Sequence, residues 1–101
     1  MVITIKEKEI TLKRTFRSLI AYESAMGKAF NPQTISESIM YFYCVVIASD
    51  TNLELTYDEF IEWLDSNPTA LNEFTQWLIN QSEIESKVAK KKSVRTPKKS
   101  Q

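Results

Sequence analysis

Gly27 is the only glycine in the 101-residue chain, and Pro32, Pro68 and Pro97 are its only prolines. Tight turns between many strands depend on residues that tolerate positive φ or fix it, so a many-stranded fold is poorly served here. The composition favours helices. One domain is expected, because a chain of this length buries a core without disulfides or metal but does not divide comfortably into two. Hydrophobic residues make up 43% and aromatics 11%, enough apolar surface to offset the entropy of ordering the chain.

Residues 2–13 read V-I-T-I-K-E-K-E-I-T-L-K. Ile3 and Ile5 alternate on one side of a charged 6–9 turn, and Ile10 and Leu12 on the other, which predicts a β-hairpin. A lone hairpin is marginal in water and must lay its apolar face on the helices that follow. Thr15 caps a first helix over Phe16 to Met26, with apolar positions Phe16, Leu19, Ile20 and Met26, and Gly27 stops it. Asn31 followed by Pro32 supplies an N-cap and first-turn proline for a second helix over residues 35–48, apolar on all sides and the expected centre of the core. The capping box Thr56 to Glu59 opens a third helix carrying Tyr57, Phe60, Ile61 and Leu64. Asn67-Pro68 repeats the cap-plus-proline device for a fourth, with Leu71, Phe74, Trp77 and Leu78, continuing to Ile84 or Val88. The expected fold is α+β and mostly α: an amino-terminal hairpin packed on a bundle of about four helices over residues 1–85, followed by a disordered basic tail, residues 86–101.

The tail follows from charge. Residues 1–85 hold six basic side chains against all thirteen acids, whereas residues 86–101 hold seven basic residues and no acid. So polar a segment cannot join a core. Lys90, Lys91, Lys92 and Arg95 could contact phosphates, but no aromatic residue stands among them to stack on bases, and nucleic acid is therefore not expected as the main ligand.

Chemistry is conspicuous by what is missing. The chain has no histidine, which removes the usual general base and the commonest metal ligand together. One glycine cannot build a phosphate loop. Carboxylates such as Asp58, Glu62 and Asp65 sit at helical spacing where solvated faces carry them, and residues 50–61 fail as a calcium loop because Leu55 occupies the glycine position and Ile61 the final acid position. No enzyme activity, cofactor or metal is expected. Cys44 has no partner for a disulfide within the chain and lies in the apolar run 39–48, which fits a reducing compartment. That run is too short to cross a membrane, and residues 1–6 do not read as a secretory signal, so a cytoplasmic protein is expected. The aromatics admit two uses, core filling or an exposed patch for a partner. Tyr41, Tyr43, Trp63 and Trp77 are the candidates for the second.

The order of motifs carries a resemblance. I-T-I-K and I-T-L-K, then T-F-R-S-L-I-A-Y-E, F-N-P-Q-T, F-Y-C, and L-T-Y-D-E-F-I-E-W-L-D followed by N-P-T-A-L, resemble the tail assembly chaperones of long-tailed bacteriophages and prophages over residues 2 to about 80. The resemblance implies a protein of the bacterial host cytoplasm that binds the tape-measure protein, keeps its apolar helices soluble, and is shed as tail-tube subunits polymerise; the apolar surface expected to do the binding lies on helices two to four. It implies self-association, and often a longer product made by ribosomal frameshifting near the end of the short form. The alternative is a small nucleic-acid-associated or regulatory protein that uses the basic tail.

Overall fold

A computed structural model of the chain describes residues 1–95, with side chains through residue 82. In chain order it comprises β1 (Val2–Ile5), β2 (Lys8–Thr11), α1 (Phe16–Met26), α2 (Ile35–Ser49), α3 (Tyr57–Ser66) and α4 (Ala70–Arg95). A hairpin followed by four helices is the α+β arrangement expected. Residues Met1–Leu71 form one compact unit, and a second begins at Asn72. The expectation of disorder for residues 86–101 rests on side chains and a terminus outside the described residues, although α4 itself extends to Arg95.

β1 and β2 pair antiparallel, with Ile3 opposite Ile10 and Ile5 opposite Lys8. Alternation along the strands buries Ile3, Ile5, Ile10 and Leu12 on one face, as the period of two requires. The turn is shorter than the 6–9 segment suggested: Lys6 and Glu7 alone make it, at φ 53° and 62°. Both central residues adopt positive φ, the geometry that matches the twist of the strands and that glycine or asparagine usually supplies. Here the Lys6 side chain compensates. Its Nζ donates to the Glu54 carbonyl at 2.6 Å and pairs with Glu59 Oε2 at 3.2 Å. Three further ties fix the hairpin: Lys8 to Asp50 at 2.7 Å, the Lys13 amide to Ser49 Oγ at 2.9 Å, and Trp63 Nε1 to the Thr4 carbonyl at 2.8 Å.

α2 is the centre of the Met1–Leu71 unit, with Tyr41, Phe42, Cys44, Val45 and Val46 all buried. Burying each large apolar side chain contributes about 1.5–3 kcal/mol, so this helix supplies much of the driving force. α1 packs beside it. α3 joins through aromatic rings, with Phe60 edge-on to Phe42 at 5.1 Å and Trp63 at 6.1 Å from the same ring.

Two helix starts differ from the sequence reading. α2 is capped by Thr34, not Asn31: Thr34 Oγ1 accepts from the Glu37 amide while Glu37 Oε1 accepts from the Thr34 amide. A reciprocal box satisfies two orphan donors where a lone asparagine satisfies one. α4 begins at Ala70, because Asn67 closes α3 instead of opening the next helix. Its Nδ2 turns back to the Trp63 carbonyl at 2.9 Å, and its own carbonyl accepts from the Ala70 amide at 2.9 Å. α1 matches the expected limits, from a Thr15 cap to Gly27 at φ 69°, but not the expected face. It buries Ser18 and Tyr22, leaving Phe16 84% and Ile20 64% exposed.

Candidate partner-binding surface

The residues expected to meet a partner are mostly engaged inside the fold. Tyr41 is 1% exposed and packs with Phe30 at 4.7 Å and Tyr22 at 5.9 Å. It is a core residue, and no partner reaches it without opening the domain. Tyr43 is half-buried; its hydroxyl donates to the Leu55 carbonyl at 2.7 Å and its ring meets Tyr57 and Phe60. Trp63 is also half-buried, stacked on Phe60 at 5.8 Å, with its indole N–H donated to Thr4. Trp77, half-buried on α4, lies 5.8 Å from the Phe74 ring. The side chains of Lys90, Lys91, Lys92 and Arg95 lie outside the described residues.

The exposed large apolar side chains are others: Phe16 and Ile20 on α1, Ile35 at the start of α2, Ile79 on α4 and Val2 on β1. Phe16 and Ile20 stand one turn apart on the outer face of α1, and residues at that spacing are neighbours on a helix. They form a ridge. The physical reason for this orientation lies in the neighbouring residues. Thr15 and Ser18 make a capping box that buries Ser18, and one turn on Tyr22 meets Phe30 at 5.2 Å edge to face. The stripe Ser18, Tyr22 and Met26 therefore faces α2, and the opposite stripe faces solvent. Sequence spacing alone counted four apolar residues without asking which a polar pattern flanked. Arg17, Glu23 and Ser24 around Phe16 and Ile20 were the available signal.

Beside the ridge, Arg17 and Ala21 of α1, Ile47 and Ala48 of α2, and Leu53 and Leu55 of the following loop line a surface pocket of about 380 Å³. The loop wall is held in shape by the Tyr43–Leu55 hydrogen bond and by Asp50, whose Oδ1 accepts from the Asn52 amide at 3.0 Å and whose carbonyl accepts from the Leu53 amide at 3.1 Å. The pocket is small, within the range of about 300–1,000 Å³ that accommodates a ligand group.

The electrostatics divide sharply. Of the six basic residues before residue 86, Lys6, Lys8 and Lys28 are paired with Glu59, Asp50 and Glu37. Those carboxylates titrate low: hydrogen bonding by Lys28 and by the Gln33 amide holds Glu37 at about 2, Lys8 and the Asn52 amide lower Asp50, and the Thr56 amide and Lys6 lower Glu59. The other three basic residues, Lys13, Arg14 and Arg17, fall within five consecutive positions that run from the end of the hairpin into the first turn of α1, and Arg14 is itself engaged in an interaction. Burial pushes the Cys44 thiol up to about 11, which leaves it protonated and unreactive at neutral pH. Among the described residues, no group of three His, Cys, Asp or Glu side chains is placed to hold a metal ion, and no helix is long and apolar enough to cross a membrane. In comparisons with known proteins, the chain matches no family model, no curated protein and no solved structure.

Proposed function

We propose that this chain is a tail assembly chaperone of a phage or prophage, a non-enzymatic binding protein that holds the tape-measure protein soluble in the host cytoplasm until the tail tube forms around it. The observation that carries the reading is the α1 ridge: Phe16 and Ile20 are 84% and 64% exposed in a domain whose other large aromatics are largely engaged in internal contacts. Exposed apolar groups beside charged ones suit the shielding of a partner's apolar helix. The ordered motifs over residues 2–80 supply the family to which such a binder would belong.

The test is co-expression with the long helix-rich protein encoded beside this one, followed by affinity purification and size exclusion. The chaperone reading expects a soluble complex with the wild type, and an insoluble partner with the Phe16→Ser, Ile20→Ser double variant. An insoluble partner with the wild type, this chain eluting alone, overturns it.

A further inference from the structure

We propose that the C-terminal end of α4 binds duplex nucleic acid without regard to sequence, as a second ligand beside the client. The basic run expected as a disordered tail begins on a helix, because α4 continues to Arg95. At 3.6 residues per turn, positions 91, 92 and 95 share one face of that helix, with position 90 flanking them, over a rise of about 6 Å. Lys87 is left out of the group, since Glu83 stands four positions before it, the spacing of an intrahelical ion pair. No acid stands three or four positions from Lys90, Lys91, Lys92 or Arg95, and none follows Glu85. Cations in the last turn complement the helix dipole, but seven basic residues across 86–101 exceed what that turn requires.

Composition selects the occupant. Residues 86–101 contain no aromatic residue and no leucine, isoleucine, phenylalanine or methionine; Val88, Ala89 and Val94 are their only apolar members. A protein partner would find nothing to bury, and protein interfaces draw their affinity from buried apolar and aromatic anchors. Exposed ion pairs to an acidic protein contribute only about 0–1 kcal/mol each. An anionic membrane would lack the Leu, Phe or Trp face that seats a basic helix in the headgroup layer. Duplex nucleic acid needs neither, because cations that displace its condensed counterions gain affinity from charge alone. The absence of aromatics excludes stacking on unpaired bases and leaves the phosphates of a duplex as the target. Residues 1–85, with thirteen acids against six basic residues, are repelled by the same polymer, so contact is confined to this end of the chain.

The experiment titrates the full-length chain into two fluorescein-labelled duplexes of unrelated sequence, each roughly two helical turns long, and reads anisotropy. Both are expected to bind alike at about 50 mM salt, with affinity falling on a log–log slope of about −3 or steeper, since four cations contribute about −0.9 each. The triple variant Lys91→Gln, Lys92→Gln, Arg95→Gln should bind at least about tenfold more weakly and on a slope shallower by about 3. Lys91→Arg with Lys92→Arg should bind as the wild type does. Ala89→Pro keeps every charge but breaks the helix before the cluster, and should weaken binding by roughly fivefold. No binding at low salt, or a preference for one duplex sequence, would overturn the proposal. Ala89→Pro binding as the wild type does would show that the helix plays no part and overturn it as well. Polyglutamate bound as tightly as duplex would assign the run to an acidic protein, and anionic phospholipid vesicles bound more tightly than duplex would assign it to a membrane surface; either result overturns it. The triple variant leaves the α1 ridge untouched, so these outcomes are read independently of whether the chain rescues the tape-measure protein.

Discussion

Tyr22 places a hydroxyl in the interior without a hydrogen-bond partner among the described residues, and burial raises its pKa. Leaving such a group unpaired costs about 1–3 kcal/mol, whereas removing it outright relieves that cost. Tyr22→Phe is therefore expected to leave stability unchanged or raise it by about 1 kcal/mol, read from urea denaturation. Glu37 presents the opposite case. It is buried, yet it accepts from Lys28, from the Gln33 amide at 2.7 Å and from the Thr34 amide at 3.1 Å. Its folded pKa of about 2 lies below the ordinary 4.5. A carboxyl depressed in the folded state stabilises the fold at pH above its unfolded value and loses that contribution as pH falls through the folded one. Stability should decline from about pH 5 toward pH 2, with the lowered Asp50 and Glu59 acting in the same direction. Glu37→Gln should be less stable at neutral pH and should show a shallower acid decline, measured as melting temperature against pH.

At the scale of elements, the caps decide where helices begin. Thr34→Ala is expected to cost about 1 kcal/mol, within the range for lost N-caps, while Asn31→Ala should cost much less; guanidinium denaturation of both variants separates the two assignments. In the hairpin, Glu7 at φ 62° occupies a backbone region that ordinary L residues enter at a cost of about 1–2 kcal/mol. Glu7→Gly should raise stability by about 1 kcal/mol, somewhat less than the relieved strain because glycine also gains entropy in the unfolded chain. Much at this scale was legible in the residues. Alternation revealed the strands, Thr15 and Gly27 bounded α1, and the Thr56 to Glu59 box opened α3, because each of these signals acts locally. The start of α2 was ambiguous for an equally local reason: Asn31-Pro32 and Thr34 to Glu37 are both cap signatures three residues apart, and the reciprocal box of the second, reinforced by Lys28 and the Gln33 amide on Glu37, wins. The exposed face of α1 was only partly legible: the polar neighbours Arg17, Glu23 and Ser24 mark it, but the burial of Tyr22 on the other face is set by Phe30 and Tyr41, which come from the following loop and helix.

For the molecule as a whole, two of the aromatic residues that invited a partner, Tyr43 and Trp63, instead hold α2 and α3 together, while Tyr41 packs with Tyr22 and Phe30. Phe60→Ala, which removes a fully buried ring touching Phe42, Tyr43 and Trp63, is expected to cost about 3–5 kcal/mol and to unfold a domain of ordinary stability near its growth temperature, visible as lost near-ultraviolet dichroism. Phe16→Ser and Ile20→Ser should leave the melting temperature within a few degrees of the wild type, since neither side chain is enclosed. The anchors of the hairpin carry one more consequence. Lys6 reaches Glu54 and Glu59, and Trp63 reaches Thr4, across 48, 53 and 59 positions of chain. Contacts so distant in sequence form slowly and late. During synthesis the hairpin can meet α2 first, through β2, Lys8–Asp50 and the Lys13 amide, whereas the Lys6 and Trp63 anchors close only once the ribosome has released α3, so a polypeptide interrupted before Trp63 would hold its hairpin by the α2 side alone and offer the Lys6–Glu7 turn to proteases.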